Sequence, residues 1–280
     1  MEKSLQGNKV IRKTITYVFC ALGVFCAVFP LVWTLLTAFK PSTEMFSYPP
    51  SLLPKHVTVK NFIDAWNKAP FGRFFLNSFF VTAIVVSGQL FFSSMAAFAF
   101  ARIKFHGRTF FFFCFLSSMM VPGIVIMIPQ FITFRILRLL DTYWALILPG
   151  FFGSAFCVFF MRQFFMSMPD SLQEAAEIDG CGYGRMFLRI FLPMVTHALI
   201  TLGLIRIVGV WNDFLWPLIS TNREVLRTVP VAIATVFFSY RNIDWAGLTA
   251  ASSIALLPLV ILFLCTRDYI IESIALTGFK

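Results

Sequence analysis

The sequence predicts an all-α polytopic membrane protein with six transmembrane helices, and three observations support this fold class. Hydrophobic residues make up 59% and charged residues 13% of the 280-residue chain, whereas an ordinary soluble domain is about 45–50% apolar and about 25% charged. The mean hydropathy is +0.82. Six stretches nearly free of charge are each long enough to cross about 30 Å of hydrocarbon as a helix. This pattern excludes a soluble enzyme, a disordered chain and a secreted disulfide scaffold.

The predicted spans follow the uncharged stretches, and Arg162, Arg206 and Asp213 are the only charged residues that fall inside them. The basic residues before the first stretch resemble the start of a signal peptide. That stretch is too long for a signal sequence and lacks a small-residue cleavage site, so we expect it to be retained. A single transmembrane domain, 1–280, is expected, with spans at about 14–39, 75–101, 109–129, 143–164, 194–220 and 245–266.

Small residues recur along one side of the second predicted span. Ser93, Ala97 and Ala101 are spaced four residues apart. Small side chains at this spacing let two helix backbones approach each other closely. We expect this face to pack against another helix.

The distribution of basic residues favours cytosolic termini. An even number of spans places both termini on one side, and cytosolic termini put twelve Lys and Arg inside against ten outside. That excess is weak, but the basic amino terminus and the short basic turn at 102–108 point the same way. The net charge of +10 is therefore interpreted as a topology signal. The expected environment is the lipid bilayer, and no nucleic-acid partner is expected.

The sequence contains no pattern typical of a catalytic or metal site. The six cysteines lack metal or disulfide spacing, and the three histidines are scattered. No phosphate-binding G-x-x-x-x-G-K-[ST] motif occurs, nor does H-E-x-x-H or G-x-S-x-G. We predict that the chain is not an enzyme, has no catalytic residue, and holds no metal or other cofactor.

A polar segment between the fourth and fifth spans, 165–193, is unlike a simple connector. Pro169 suits the first turn of a helix, and Asp170 near it complements the helix dipole. Gly180 suits a left-handed helix end. Two short helices meeting at a glycine bend are therefore predicted, exposed in the cytosol. They leave an apolar surface typical of a docking segment, although a helical hairpin that merely closes the loop is the alternative. The residues of that surface are Leu172, Ala175, Ala176 and Ile178.

This segment resembles the EAA loop of ABC-importer permeases. The matching residues are Glu174, Ala175, Ala176, Asp179, Gly180, Ile190, Leu192 and Pro193. Further matching stretches extend the resemblance over essentially the whole chain. They lie at 98–102, 162–165, 168–169, 211–217 and 275–278. Together they are similar to the carbohydrate-uptake branch, and specifically to its smaller permease subunit of the maltose-importer type. Cys181 departs mildly from this pattern, since the family more often has alanine there.

The resemblance implies the type I ABC importer permease fold and a set of partners. An extracytoplasmic sugar-binding protein would deliver solute to this chain and a second, homologous permease subunit. Two ATPase subunits, which would hold the ATP and Mg²⁺, would drive alternating access. The loop 165–193 would seat in a groove of an ATPase subunit, with Gly180 at its bend. The chain would then be a multi-pass protein of a bacterial-type cytoplasmic (inner) membrane.

Charged residues in the fifth span suggest a translocation path. Arg206 and Asp213 each cost roughly 2.5–3.5 kcal/mol in lipid on insertion scales, so they should face protein or water. Seven residues apart, they lie on one stripe of the helix about 10 Å apart along its axis. Trp211 and Asn212 are included as further path candidates. The alternative is a hydrogen-bonding site that stabilises the bundle, with Trp211 and Trp216 anchoring the membrane interface.

The predicted function is that of a permease subunit of an ATP-driven, binding-protein-dependent importer of a di- or oligosaccharide. One alternative is an ABC importer for a glycerol-phosphate-like solute. Another is a self-sufficient ion-coupled secondary transporter, for which Arg206 and Asp213 are thin support. An intramembrane enzyme would need a catalytic pair that the sequence lacks. We expect Arg206→Ala to slow transport or destabilise the complex without changing which sugar is taken up.

Overall fold

The computed structural model describes residues 2–238 and 243–277. Within these ranges the regular secondary structure is helical, which confirms the predicted fold class. The helices, in chain order, are α1 (Glu2–Ala38), α2 (Ser42–Met45), α3 (Lys60–Asn67), α4 (Phe71–Arg102), α5 (Arg108–Ser117), α6 (Gly123–Ile136), α7 (Tyr143–Phe151), α8 (Ala155–Met166), α9 (Asp170–Ile178), α10 (Tyr183–Met186), α11 (Leu192–Met194), α12 (Thr196–Trp211), α13 (Leu215–Ser220), α14 (Val229–Phe237) and α15 (Trp245–Thr277).

Among the residues that the structure describes, four helical segments have the length and apolar composition to cross a membrane. They are Arg12–Ala38, Phe71–Arg102, Tyr143–Met166 and Trp245–Arg267. Two further apolar segments are bent helix pairs. Arg108–Met120 and Gly123–Ile136 meet at 98°, and Tyr183–Met194 and Thr196–Trp211 meet at 80°. Counting each bent pair as one span gives six, the number predicted.

The predicted spans at 109–129, 143–164 and 194–220 are not single helices. The span at 143–164 is interrupted at 152–154, between α7 and α8. Between α5 and α6, Val121 is extended, with φ −84° and ψ 118°, and Pro122 precedes the first residue of α6. Proline cannot donate the helical hydrogen bond, and it forces the residue before it out of the helical region. The fifth segment is interrupted at 212–214, between α12 and α13. Counting uncharged residues does not detect these breaks, because it measures length and polarity only.

Clustering of backbone contacts divides the chain into two units. One consists of the chain up to residue 70 together with 233–257, and the other of 71–232 together with the chain from 258 onward. In the first unit, the side chains of 12–32 on α1 are exposed. A long apolar helix whose side chains are exposed over 12–32 is expected to face lipid or another subunit.

The segment 39–70 of the first unit is a folded element rather than a loose loop. The Asn61 side chain donates to the carbonyl oxygens of Ala38 and Lys40, at 2.8 and 2.7 Å. The backbone N–H of Lys55 donates to Glu44 at 2.7 Å, and Ser51 also donates to this carboxylate. These bonds, the one from Lys55 first, hold the pKa of Glu44 below its usual value.

The second unit is built around α4, which packs against α7, α8 and α12. Ser93 and Ala97 are fully buried and Ala101 is half-buried against the same core, which confirms the predicted packing face of small residues. The Ser93 hydroxyl accepts a hydrogen bond from the backbone of Ser154, just before α8, at 3.4 Å. The apolar core of this unit contains buried residues of α4 and α8 together with residues of the segment that follows α9.

Candidate functional site

The segment 165–193 contains the predicted helix, bend and second helix. Helix α9 begins at Asp170, so Pro169 is the residue that precedes the helix and not part of its first turn. Gly180 has φ +71°, in the left-handed region that residues with a Cβ occupy only at a cost of about 1–2 kcal/mol. The second helical segment begins at Tyr183.

The bend closes α9 with the hydrogen-bond pattern of a Schellman motif. The backbone N–H of Cys181 donates to the carbonyl of Ala176 at 2.9 Å, and that of Gly180 donates to Glu177 at 3.0 Å. A Cβ built on Gly180 meets no atom within 4 Å. The glycine is therefore required by the backbone conformation, and the space over the bend is open.

The apolar surface predicted on α9 is only partly exposed. Ala176 is 4% exposed and belongs to the apolar core, and Leu172 is half-buried. Ala175 is exposed, and Ile178 is 86% exposed. Ala176 therefore lies on the core side of α9 and not on its exposed side, and its role in ATPase coupling stays a prediction. We name the exposed side of this segment the loop edge; it consists of Glu174, Ala175, Ile178, Asp179 and Gly180.

The rest of the segment anchors the loop in the core. Met186, Phe187 and Phe191 are buried, while Ile190 and Leu192 are half-buried and Pro193 is exposed. Residues Phe187–Phe191 form a π-helical turn, in which the N–H of Leu192 donates to the carbonyl of Phe187. The next residue, Pro193, has no N–H to continue an ordinary α-helical ladder, which favours a local change of helix type at this point.

Arg102, at the end of α4, is a site residue whose role the sequence did not reveal. Its side chain is buried and donates to the carbonyl oxygens of Phe165 (2.6 and 3.0 Å) and Met168 (2.5 Å). It also forms a 2.5 Å ion pair with Asp170 and lies over the Phe191 ring at 5.1 Å. One guanidinium thus joins α4, the end of α8, the start of α9 and the π-helical turn. The sequence signal is a basic residue that ends an apolar run, which indicates topology and matches the family pattern but does not identify the contacts.

Arg206 and Asp213 line one cavity of about 400 Å³. Arg206 Nε donates to Gln89 Oε1 at 2.5 Å, and Gln89 on α4 is 1% exposed. Asp213 lies in the break between α12 and α13, where its carboxylate interacts with the backbone N–H groups of Phe214 and Trp216. The structure therefore brings together the two charged candidates of the fifth segment.

The other two path candidates lie elsewhere. Trp211 is buried, packs edge-on against Phe79 at 4.9 Å between ring centroids, and lines a separate cavity of about 300 Å³. Asn212 is exposed and donates to the carbonyl of Val208 in its own helix, at 3.0 Å. Trp216 instead lines the cavity with Arg206, and its indole N–H donates to Ala145 O at 2.7 Å. Trp211 and Asn212 therefore do not line the cavity of the charged pair, and their place on a translocation path stays a prediction.

Two remaining features bear on the predicted site residues. Gly278, the last residue of the C-terminal family match, lies outside the described residues. Across 2–238 and 243–277, no group of three His, Cys, Asp or Glu side chains could hold a metal ion.

Comparison with known proteins yields one family and several relatives. The family model described as binding-protein-dependent transport system inner membrane component matches residues 89–275. The chain is 36% identical over 270 residues to the arabinooligosaccharides transport system permease protein AraQ of Halalkalibacterium halodurans, covering 95% of each chain. It is 31% identical over 265 residues to the sn-glycerol-3-phosphate transport system permease protein UgpE of Yersinia enterocolitica, covering 92% of this chain and 94% of the relative.

Two further proteins extend this comparison: a relative that is named for a third type of solute, and a protein of known structure. The diacetylchitobiose uptake system permease protein NgcG of Streptomyces coelicolor is 29% identical over 268 residues, covering 95% of this chain and 88% of the relative. The crystal structure of a bacterial ABC transporter involved in the import of the acidic polysaccharide alginate has a chain with a TM-score of 0.82. The match covers 92% of this chain and 96% of that one. At 22% identity, this likeness shows the shared fold.

Proposed function

The chain belongs to the family of binding-protein-dependent transport system inner membrane components, and from this membership we propose that it imports a di- or oligosaccharide. It acts as one permease subunit beside a second, homologous one. Two separate ATPase subunits supply the ATP- and Mg²⁺-binding sites, and an extracytoplasmic sugar-binding protein delivers the solute. Both termini lie in the cytosol.

The loop edge is the proposed contact with an ATPase subunit, and its geometry is the observation that carries this proposal. Glu174, Ala175, Ile178, Asp179 and Gly180 project from a segment whose other side is packed in the core. An exposed short helix with open space over its glycine bend suits insertion into a groove. Ile190, Leu192 and Pro193 support the loop edge from the following segment.

Arg102 supplies the mechanical link in this proposal. Its contacts tie the start of α9 to the ends of α4 and α8. When the ATPase subunits close on ATP, a displacement of the loop edge is transmitted to these two helices, because a buried guanidinium with several charge-assisted partners resists separation from them. The helices then shift toward the outward-open arrangement.

The solute is proposed to be a sugar on two grounds. Two relatives are named for arabinooligosaccharide transport and diacetylchitobiose uptake. In addition, Arg206 and Asp213 line the same cavity, so the positive charge that an anionic solute needs is offset. The second candidate is a glycerol-phosphate-like solute, favoured by the relative named for sn-glycerol 3-phosphate. A test panel therefore consists of an arabinooligosaccharide, diacetylchitobiose and sn-glycerol 3-phosphate.

Replacing Gly180 tests the docking proposal. In Gly180→Val the left-handed backbone becomes strained, so the loop edge changes shape while the core beneath it is untouched. We expect the assembled importer to lose ATPase association, or to hydrolyse ATP without a matching rate of sugar uptake. The measurement compares pull-down of the ATPase subunits and the ratio of sugar uptake to ATP hydrolysis in proteoliposomes.

Gly182→Val is the matched control. Gly182 has φ −70°, and a Cβ built on it also meets nothing within 4 Å. It therefore receives the same bulk without backbone strain, and we expect a smaller loss. Wild-type assembly and coupling in Gly180→Val would count against the docking proposal. Sugar uptake by this chain alone, driven by an ion gradient without ATP, would instead favour a secondary transporter.

A further inference from the structure

The cavity that contains Arg206 and Asp213 lies where three helical segments are interrupted. Its wall is formed by α4, α6, α7, α12 and α13. Gly123 is the first residue of α6 after the break at 121–122, and Gly150 is one residue before the end of α7. Asp213 itself lies in the break at 212–214.

Because these interruptions lie around one cavity, we interpret the cavity as a space that holds water or a polar solute. Inside a bilayer, non-helical backbone is tolerated only where it is buried in protein or lines a water-filled space. In transporters, broken helices commonly surround the solute site, because their free backbone groups and side chains can face the ligand there. A cavity that served only as a packing defect would not need three breaks around it.

The polar side chains in the cavity form a varied set. Arg206 donates hydrogen bonds and Asp213 accepts them, while Gln130 on α6 can do both. The buried Gln89 holds the Arg206 guanidinium through its Nε, and the backbone of α7 holds the Trp216 indole. Of the four cavity side chains Arg206, Asp213, Gln130 and Trp216, Arg206 and Trp216 are therefore held in position by neighbouring elements. Holding them in place reduces the entropy that is lost when a ligand binds.

We propose that this cavity is a subsite for one ring of a neutral saccharide, so that this subunit contacts the solute directly. This inference rests on the proposed function and specifies the residues that grip the sugar. Sugar hydroxyls both donate and accept, which matches the guanidinium, carboxylate and amide groups, and an indole offers an apolar face to the C–H side of the ring. One cation and one anion leave little net charge to attract an anionic solute. The volume of about 400 Å³ falls within the roughly 300–1,000 Å³ range of small-molecule sites.

Filling the cavity is the first test. A Cβ built on Gly209 would lie 3.8 Å from Arg206 Nη1, an ordinary contact, so a longer side chain there extends into the cavity. In the complete importer with its binding protein, we expect Gly209→Leu to lower ATP-driven saccharide uptake more than about tenfold. Gly23→Leu on α1 is the matched control, because a Cβ there meets nothing within 4 Å. We expect it to leave uptake within about twofold of wild type.

Removing one polar group is the second test and does not depend on added bulk. Gln130→Leu keeps the approximate side-chain size but removes the amide. We expect KM for the transported saccharide to rise about tenfold through lost hydrogen bonds, while the amount of assembled complex stays unchanged. In wild type we expect sn-glycerol 3-phosphate to be a poor competitor of saccharide uptake. In Asp213→Asn the Arg206 charge loses the opposing carboxylate of the same cavity, so we expect sn-glycerol 3-phosphate to compete better than in wild type.

The outcomes separate this inference from the proposed function. If wild type takes up saccharide with ATP but Gly209→Leu and Gln130→Leu keep wild-type KM and rate, the subsite is disproved and the importer remains. If sn-glycerol 3-phosphate is the best competitor in wild type, the ligand is anionic and the neutral subsite is wrong. If it competes no better in Asp213→Asn than in wild type, the two charges do not face the solute and the subsite is again wrong. If wild type shows no ATP-driven saccharide uptake, the proposed function itself fails.

Discussion

Arg102 places one guanidinium where four segments of the second unit meet. Carbonyl oxygens at the end of a helix lack partners within that helix, and Arg102 satisfies those of Phe165 and Met168 at the end of α8. Its ion pair reaches Asp170 at the start of α9, where a negative charge is also favoured by the helix dipole. The side chain is therefore both a helix cap and a connection between helices.

Replacing Arg102 by lysine should uncouple the importer. Lysine keeps the charge, but its ammonium group cannot match the planar fork that contacts two carbonyl oxygens and a carboxylate together. We expect Arg102→Lys to assemble with its partners and to lower the sugar taken up per ATP hydrolysed by roughly tenfold. Both rates are measured in proteoliposomes.

Arg108→Lys provides the comparison at the residue scale. Arg108 undergoes the same chemical change six positions away, and its contact to the carbonyl of Ile103 is long, at 3.5 Å. We expect its coupling ratio to stay near that of wild type. An unchanged ratio in Arg102→Lys would show that Arg102 stabilises the loop without transmitting motion.

Asp141 joins two connecting segments, one after α6 and one after α13. Its carboxylate accepts hydrogen bonds from the backbone N–H groups of Asn222 and Arg223, both at 2.9 Å, and pairs with the Arg223 guanidinium at 2.9 Å. Burial raises the pKa of Asp141, but these hydrogen bonds and the charge of Arg223 outweigh burial and lower it overall. Asp141 also has φ +60°, a conformation that Asn tolerates as well.

This junction should give the complex an acid-sensitive component of stability. Because the folded pKa is lowered, the stabilisation is fully present above the ordinary value of 3.8 and is lost as the pH falls through the lower folded value. Asp141→Asn should lower the unfolding temperature at neutral pH, by an amount equivalent to roughly 1 kcal/mol. At pH 3, below the ordinary value, the loss should be smaller than at neutral pH. Thermal unfolding in detergent at both pH values measures this, and an equal loss at both would contradict the role of the charge.

A tertiary contact in the second unit shows which loops lie on the same side of the membrane, and composition alone does not provide this information. Arg102 contacts Asp170 directly, so the basic turn at 102–108 and the segment 165–193 lie at the same end of the helices in the second unit. The basic residues of the turn 102–108 and of the segment 165–193 therefore all lie on one side of the membrane. This strengthens the proposed cytosolic position of the loop edge, since short basic loops remain in the cytosol.

Cysteine labelling tests this orientation. Ala176 is unsuitable as a reporter because it is buried, whereas Ile178 and Val57 are 86% and 72% exposed. On a background without the native cysteines, an impermeant thiol reagent added to intact cells should label Val57→Cys and leave Ile178→Cys unlabelled. Permeabilised cells should allow both to react. The reverse pattern in intact cells would overturn the orientation.

Most of the class, the span count and the glycine bend could be predicted from sequence, because each depends on local chemistry. An apolar stretch of about 20 residues is long enough to span the bilayer as a helix, whatever its neighbours are. A left-handed helix end favours glycine at that one position, which is also a local requirement. The motif pattern likewise identifies 165–193 from the sequence without any tertiary contact. The sequence also indicated that Arg206 and Asp213 share a side, since helical periodicity fixes relative direction.

Only the tertiary structure shows which segments pack against each face of a helix. Ala176 and Ile178 are two residues apart on one short helix, yet one is in the core and the other is exposed. Arg102 finds its partners more than sixty residues along the chain, and Trp216 rather than Trp211 joins the charged cavity. Periodicity gives the direction of a side chain, but the segment that packs against it is set by long-range contacts and by helix breaks such as that at 212–214.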